Sequence, residues 1–280
     1  MIRLSTKNDI PQIIYLWNEA FGDSEQEIRF FLDNRFVEDK TLVYEINGDV
    51  ASVLFLLEGD MCIDGKCYPS YYLYAASTLK KYRGRGLMAE LLSFAKEIAN
   101  KRNKFFICLK PGEKSLFDFY EKHGYKTVFK IRKANYPVSY FTKEIIQSRN
   151  KIISDREELR NIAFGGHSFF KWDKQAIDFA FEHTKYFNGA TSEHCEGYSL
   201  YNAIHKSLVV KETTFTDCNK LFESIRSDDV IGADSITVFY PPWVKNEGEI
   251  IDYAMLTAVN DAADKTIKNI NNAYLGLTLD

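Results

Sequence analysis

Apolar residues recur at three- and four-residue spacing in Ile10, Ile13, Ile14, Trp17 and Phe21, which predicts a helix closing near Gly22. Thr6 with Asp9 resembles a cap ahead of it, and Ser24 with Glu27 forms a capping box for a second helix carrying Ile28, Phe31 and Leu32. The pattern then changes to short apolar runs separated by turn dipeptides. Leu42 to Ile46 and Val50 to Leu57 flank Asn47-Gly48, the signal of a type I′ hairpin. Met61 to Ile63 and Lys66 to Tyr68 flank Asp64-Gly65 as a second hairpin, and residues 71–77 form a compact aromatic strand. A helical stripe of Leu87, Met88, Leu91, Leu92, Ala95, Ile98 and Ala99 predicts a helix from about residue 84 to 101. A buried strand over 104–109, a break at Pro111-Gly112, a helix over 115–122 ended by Gly124, and a strand over 126–131 complete an α+β unit of about 135 residues.

Beyond Tyr136-Pro137 the order is helix 154–164, helix 172–186, strands 188–194, 197–204 and 207–214, and helix 217–225. Strands near 235–240 and 250–257, a helix near 259–270 and a terminal apolar strand from Ala273 to Leu279 follow. Helices, a meander, then strand–helix–strand echo the first half, as a diverged duplication would. The expected domains are residues 1–135 and 136–280, the second structural or substrate-shaping.

The most informative local feature is Tyr82-Arg83-Gly84-Arg85-Gly86-Leu87-Met88, set between the aromatic strand and the amphipathic helix. The first N–H groups of a helix have no intrahelical partner, and Gly84 and Gly86 let backbone approach an anion closely. Arg83 and Arg85 supply cationic forks, so this turn predicts a phosphate-bearing ligand. The second half has no such turn, since Gly165-Gly166-His167 precedes no matching helix.

A formal charge of −3 argues against non-specific nucleic-acid binding through Lys80, Lys81, Arg83 and Arg85. No run of about 18 apolar residues exists, so no membrane span is expected, and Met1 to Ser5 shows no signal-peptide apolar region. The five cysteines give no disulfide framework. Cys62 and Cys67 read as hairpin partners, with a metal site the sharper alternative, and the expected setting is the cytoplasm with reduced thiols. His167, His183, His194 and His205 lack metal-ligand spacing, so no metal is expected. Phe169-Phe170-Lys171-Trp172 reads as core at a helix start, or as one wall of an acceptor pocket.

With these elements in order, the first half resembles the GNAT superfamily of acyl-CoA N-acyltransferases. Its pyrophosphate motif, Gln/Arg-x-x-Gly-x-Gly/Ala at a strand-to-helix junction, matches Arg83, Gly86 and Met88, with methionine standing where a small residue is usual. A second motif, Phe-Tyr-x-x-x-Gly-Tyr/Phe, matches Phe119, Tyr120, Gly124 and Tyr125 in register. The resemblance covers residues 1–135; over the rest it is looser, to the multidomain branch in which an intact acetyltransferase domain precedes a degenerate one, as in enhanced-intracellular-survival-type enzymes. The implied fold is a mixed, mostly antiparallel sheet flanked by helices, followed by a second diverged unit of the same kind.

The resemblance implies acetyl-CoA as acyl donor and direct transfer to a primary amine on a small molecule or peptide. Its pantetheine arm would lie beside Ala76, Ser77 and Thr78, and its diphosphate on the main chain of Arg83, Gly84, Arg85, Gly86, Leu87 and Met88. Tyr120, which on spacing alone reads as a core aromatic beside Phe117 and Phe119, corresponds to the family's general acid. Three routes stand open for the amine proton: Glu58, the terminal carboxylate of Asp280, or water. The alternative reading is a non-catalytic CoA-binding sensor or scaffold on the same fold. The sequence does not identify the acceptor or the oligomeric state.

Overall fold

The computed structural model describes residues 1–140, 155–245, 247–268 and 270–278. In chain order the first elements are β1 (Ile2–Leu4), α1 (Ile10–Phe21), α2 (Glu25–Arg35), β2 (Thr41–Ile46), β3 (Asp49–Ile63), β4 (Lys66–Thr78), α3 (Leu87–Lys101), β5 (Phe106–Leu109), α4 (Ser115–Lys122) and β6 (Lys126–Pro137). Then follow α5 (Arg156–Phe164), β7 (Phe169–Lys171), α6 (Lys174–Tyr186), β8 (Ala190–His194), β9 (Gly197–Ile204), β10 (Ser207–Thr213), α7 (Cys218–Ser224), β11 (Ser235–Tyr240), β12 (Glu249–Ala258) and α8 (Asp261–Ile267). The fold is mixed α+β with mostly antiparallel strand pairing.

Two compact units divide the chain, and not at a single cut. The first holds Met1–Asp60, Tyr68–Thr127 and the stretch from Met255 through α8; the second holds Met61–Cys67, Val128–Ala254 and the chain from Ile270. The boundary expected at residue 135 thus falls inside β6, and β12 is shared.

In the first unit local chemistry sets each element. Gly22 takes the left-handed conformation (φ +81°) and closes α1 by donating its N–H to the Asn18 carbonyl. Ser24 and Glu27 cap α2 reciprocally, as the sequence indicated. Asn47-Gly48, both at positive φ, joins β2 to β3. Sheet order runs β1-β2-β3-β4-β5-β12, with β4 and β5 parallel and the end of β12 antiparallel to β5. Because strand side chains alternate, Leu54, Leu56, Tyr71 and Leu73 face one side and pack with Leu91, Leu92, Ala95 and Ala99 of α3. Phe55 and Tyr74 face the other and meet Trp17 and Phe31, with Trp17 ring centroids 5.5 Å and 5.7 Å from theirs.

The second unit repeats this order: two helices (α5, α6), a three-strand meander (β8–β10), a helix (α7), then a strand parallel to the last of the meander (β11 on β10). Its centre is a fully buried ion pair. Arg160 donates to both Glu212 oxygens at 3.2 Å and to the carbonyls of Phe170 and Leu275, while Tyr198 Oη and Leu277 N donate to the same carboxylate.

Four expectations differ from the structure. Val50 to Leu57 and Met61 to Ile63, read as separate strands, are one strand, β3, and Lys66 to Tyr68 and residues 71–77 are one strand, β4, because the half-buried Glu58-Gly59-Asp60 and the Pro69-Ser70 step stay extended instead of turning. The apolar stretch from Ala273 makes only isolated bridges, Phe129–Ala273 and Phe169–Tyr274, rather than a strand. Short β1 and β7 were invisible to periodicity. Cys62 and Cys67, expected as reduced thiols, form a disulfide, since the Asp64-Gly65 turn sets them on facing strands; the described residues contain no metal-binding cluster. Cys108, Cys195 and Cys218 take no part in the disulfide.

Candidate active site

The site begins where two parallel strands part. β4 and β5 pair from Ser70–Phe106 to Tyr72–Cys108; β5 ends at Leu109, while β4 continues to Thr78. The free end of β4 is kinked at Ala75, whose φ of +47° is left-handed for a residue with a Cβ and costs on the order of 1 kcal/mol. Ser52 Oγ holds the strand end by donating to the Ser77 carbonyl at 2.8 Å, and Arg83 Nε donates to the Thr78 carbonyl at 2.9 Å.

The chain then enters α3 through Gly84 (φ +75°) and Gly86 (φ +80°), a backbone that glycine adopts without strain. A Cβ at either position would meet no protein atom within 4 Å, so the space before the turn is open. Side chains cap α2, α5, α6, α7 and α8, yet none caps α3, which leaves its first amides unclaimed. The corresponding helix of the second unit, α7, has its first amides taken by Asp217. An acidic cap there fills the position that stands open before α3.

A cleft of about 830 Å³ opens in front of the turn. Of the residues singled out in the sequence, Ala76, Ser77, Thr78, Arg83, Gly84, Gly86, Leu87, Met88 and Tyr120 line it. Arg85 does not; its guanidinium lies 5.2 Å from the Tyr82 ring centroid. Lys81 is committed to Asp49 at 2.5 Å, an aspartate that also accepts from Tyr82 Oη. The sequence reading missed Ala20 and Phe21 at the end of α1, and Glu113, Leu116 and Phe119 around α4. The exposed aromatic just before the Gly22 stop was the available signal for Phe21.

Tyr120 sits in the cleft wall at 7% exposure, edge-on to Phe119 and Tyr125 with centroids 5.2 Å and 5.6 Å away. Burial pushes its phenol up to about 12, so it holds its proton throughout the neutral range. Glu58 stands elsewhere, between Lys104 and Lys40, and does not line the cleft. Burial works to raise its carboxyl, but the two ammonium groups outweigh that and hold it below the usual range. Glu113 is the carboxylate the cleft presents among the described residues. Asp280, the other base considered, lies outside the described residues.

A sequence profile described as an acetyltransferase (GNAT) domain matches residues 1–128. The sequence matches none of the curated proteins. Among solved structures, a GCN5-related N-acetyltransferase from Anabaena variabilis superposes with a TM-score of 0.72 at 14% identity, over 94% of this chain and 74% of that one. One from Kribbella flavida gives 0.69 at 14% identity, over 94% and 73%. Eis1 from Mycobacterium abscessus gives 0.66 at 11% identity, over 93% and 74%. At such identities the likeness is one of fold, and it spans nearly the whole chain. The profile match shows that residues 1–128, which hold the splayed strands and the glycine turn, are similar to the GNAT acetyltransferase domain.

Proposed function

We propose that the protein is an acetyl-CoA-dependent N-acetyltransferase that transfers the acyl group directly to a primary amine. The observation that carries this reading is the uncapped start of α3, opening through Gly84 and Gly86 into the same cleft that Tyr120 lines. Amides of that first turn, with Arg83 fixed by its Nε, suit the diphosphate of the donor. The unpaired edge of β4 at Ala76–Thr78 offers main-chain groups to the pantetheine amides, although the Ser77 carbonyl already accepts from Ser52. Acetyl-CoA supplies an activated thioester carbonyl. The amine nitrogen bonds to that carbon, the C–S bond breaks, and the sulfur takes a proton from Tyr120 Oη. With Glu58 locked between lysines, the amine proton leaves through water or Glu113. Methionine at position 88 packs against the α3 core while lining the cleft, so its flexible side chain accommodates the donor where the family carries a small residue. The second unit, with its equivalent helix capped by Asp217, serves structure or acceptor shape rather than cofactor binding.

No helix among the described residues is long and apolar enough to cross a membrane. We place the protein in the cytoplasm, where its donor is available; the single hairpin disulfide is local to the β3–β4 turn. The test is calorimetry with acetyl-CoA, followed by thiol release against spermidine, kanamycin, lysine and a lysine-containing peptide. Binding with turnover on one amine is the expected result. Absence of binding overturns the reading, and binding without thiol release on any amine replaces it with the sensor or scaffold role.

A further inference from the structure

Among the described residues of the first unit, Tyr125 Oη is the buried side-chain polar atom left without a hydrogen-bond partner. Tyr125 is 1% exposed, follows Gly124 at the end of α4, and presents its ring edge-on to Tyr120, 5.6 Å away between centroids. A buried hydroxyl without a partner is destabilising, so a phenylalanine of the same shape would serve packing better. Lys96 Nζ lies 5.4 Å from the Tyr125 ring centroid, a cation–π contact that fixes the ring. The same ammonium is anchored by donating to the His123 carbonyl at 2.6 Å.

We propose that Tyr125 is a positioning residue for the acid Tyr120: its Oη–H donates to the Tyr120 oxygen when that phenol surrenders its proton. The inference rests on the role given to Tyr120 above. As the C–S bond breaks and its electron pair passes to sulfur, the proton leaves Tyr120 Oη, and negative charge develops on an oxygen in a wall from which water is largely excluded. Tyr125 keeps its own proton throughout and stabilises that charge; Tyr120 is reprotonated afterwards from solvent through the cleft it lines. A donor used only at that stage stands idle in the resting protein, which is the state the structure records.

The experiment measures CoA release from acetyl-CoA with hydroxylamine as surrogate amine, in the full chain and in Tyr125→Phe, Tyr120→Phe and the double variant. Tyr125→Phe should melt at or above the temperature of the parent, lose about tenfold in kcat, and keep its KM for acetyl-CoA within about twofold. In the Tyr120→Phe background the same change should leave the rate unaltered, which a merely structural role would not produce. The proposal is overturned if Tyr125→Phe retains full kcat, or if it slows both backgrounds equally. A Tyr120→Phe variant as fast as the parent removes the acid assignment itself, and the inference with it.

Discussion

Replacing Gly86 by alanine separates backbone strain from ligand space at the most distinctive point of the cleft. Gly86 has φ +80° and an empty hemisphere where a Cβ would stand. The left-handed conformation costs an alanine about 1–2 kcal/mol, which for a chain of this size lowers the melting temperature by about 2–8 °C. Gly48, at φ +86° with equally open surroundings, lies in the β2–β3 turn and does not line the cleft. Gly48→Ala should therefore lose comparable stability and no affinity for acetyl-CoA. Gly112 lines the cleft with open space but without positive φ, so Gly112→Ala should leave the melting temperature nearly unchanged. Gly86→Ala should combine the thermal loss with weaker binding by calorimetry. Displacing one amide–phosphate hydrogen bond of about 1.5–3 kcal/mol corresponds to roughly ten- to hundredfold in Kd. Equal acetyl-CoA affinity for Gly86→Ala and Gly48→Ala would refute the argument, because the space before α3 would then not be where the diphosphate lies.

Tyr120→Phe should cut turnover by about tenfold or more while leaving donor affinity intact, and the parent should show no alkaline loss assignable to Tyr120 below about pH 11. Because burial raises that phenol from an ordinary value near 10 to about 12, its contribution to stability is complete below pH 10 and is lost as pH rises toward 12. Denaturant midpoints at pH 9 and 11 should accordingly differ less in Tyr120→Phe than in the parent. Arg160→Met leaves Glu212 buried without its charge partner and should cost about 3–5 kcal/mol in urea unfolding; a loss under 1 kcal/mol would show that the pair is not the centre of the second unit. The Cys62–Cys67 disulfide closes so short a loop that reducing it should cost at most about 2 kcal/mol, and thiol release from acetyl-CoA should be unchanged by reductant below the melting transition.

The sequence by itself determined the elements whose causes are local. Asn47-Gly48 and Asp64-Gly65 specify turns through positive φ, Ser24 and Glu27 specify a helix start, and Gly84 and Gly86 mark the turn before α3, because each acts on backbone within a few residues. Most residues on the α3 side of the cleft were legible, since motif spacing and the strand–turn–helix order place them on one strand end, one turn and one following helix. Tertiary structure alone decided which groups are chemically available. Glu58 reads as a candidate base until Lys40 and Lys104, remote in sequence, are found clasping it. Phe21 and Glu113 reach the cleft only because α1 and the segment before α4 converge on the end of β4. The stretch from Ala273 has strand composition, but its backbone groups are claimed by Val128, Lys130, Ser168 and Phe170 as isolated bridges, and Arg160 and Glu212 take Leu275 and Leu277. Periodicity reports which face of a segment is apolar; it carries no information about which distant donor, charge or strand will meet that face once the chain has closed on itself.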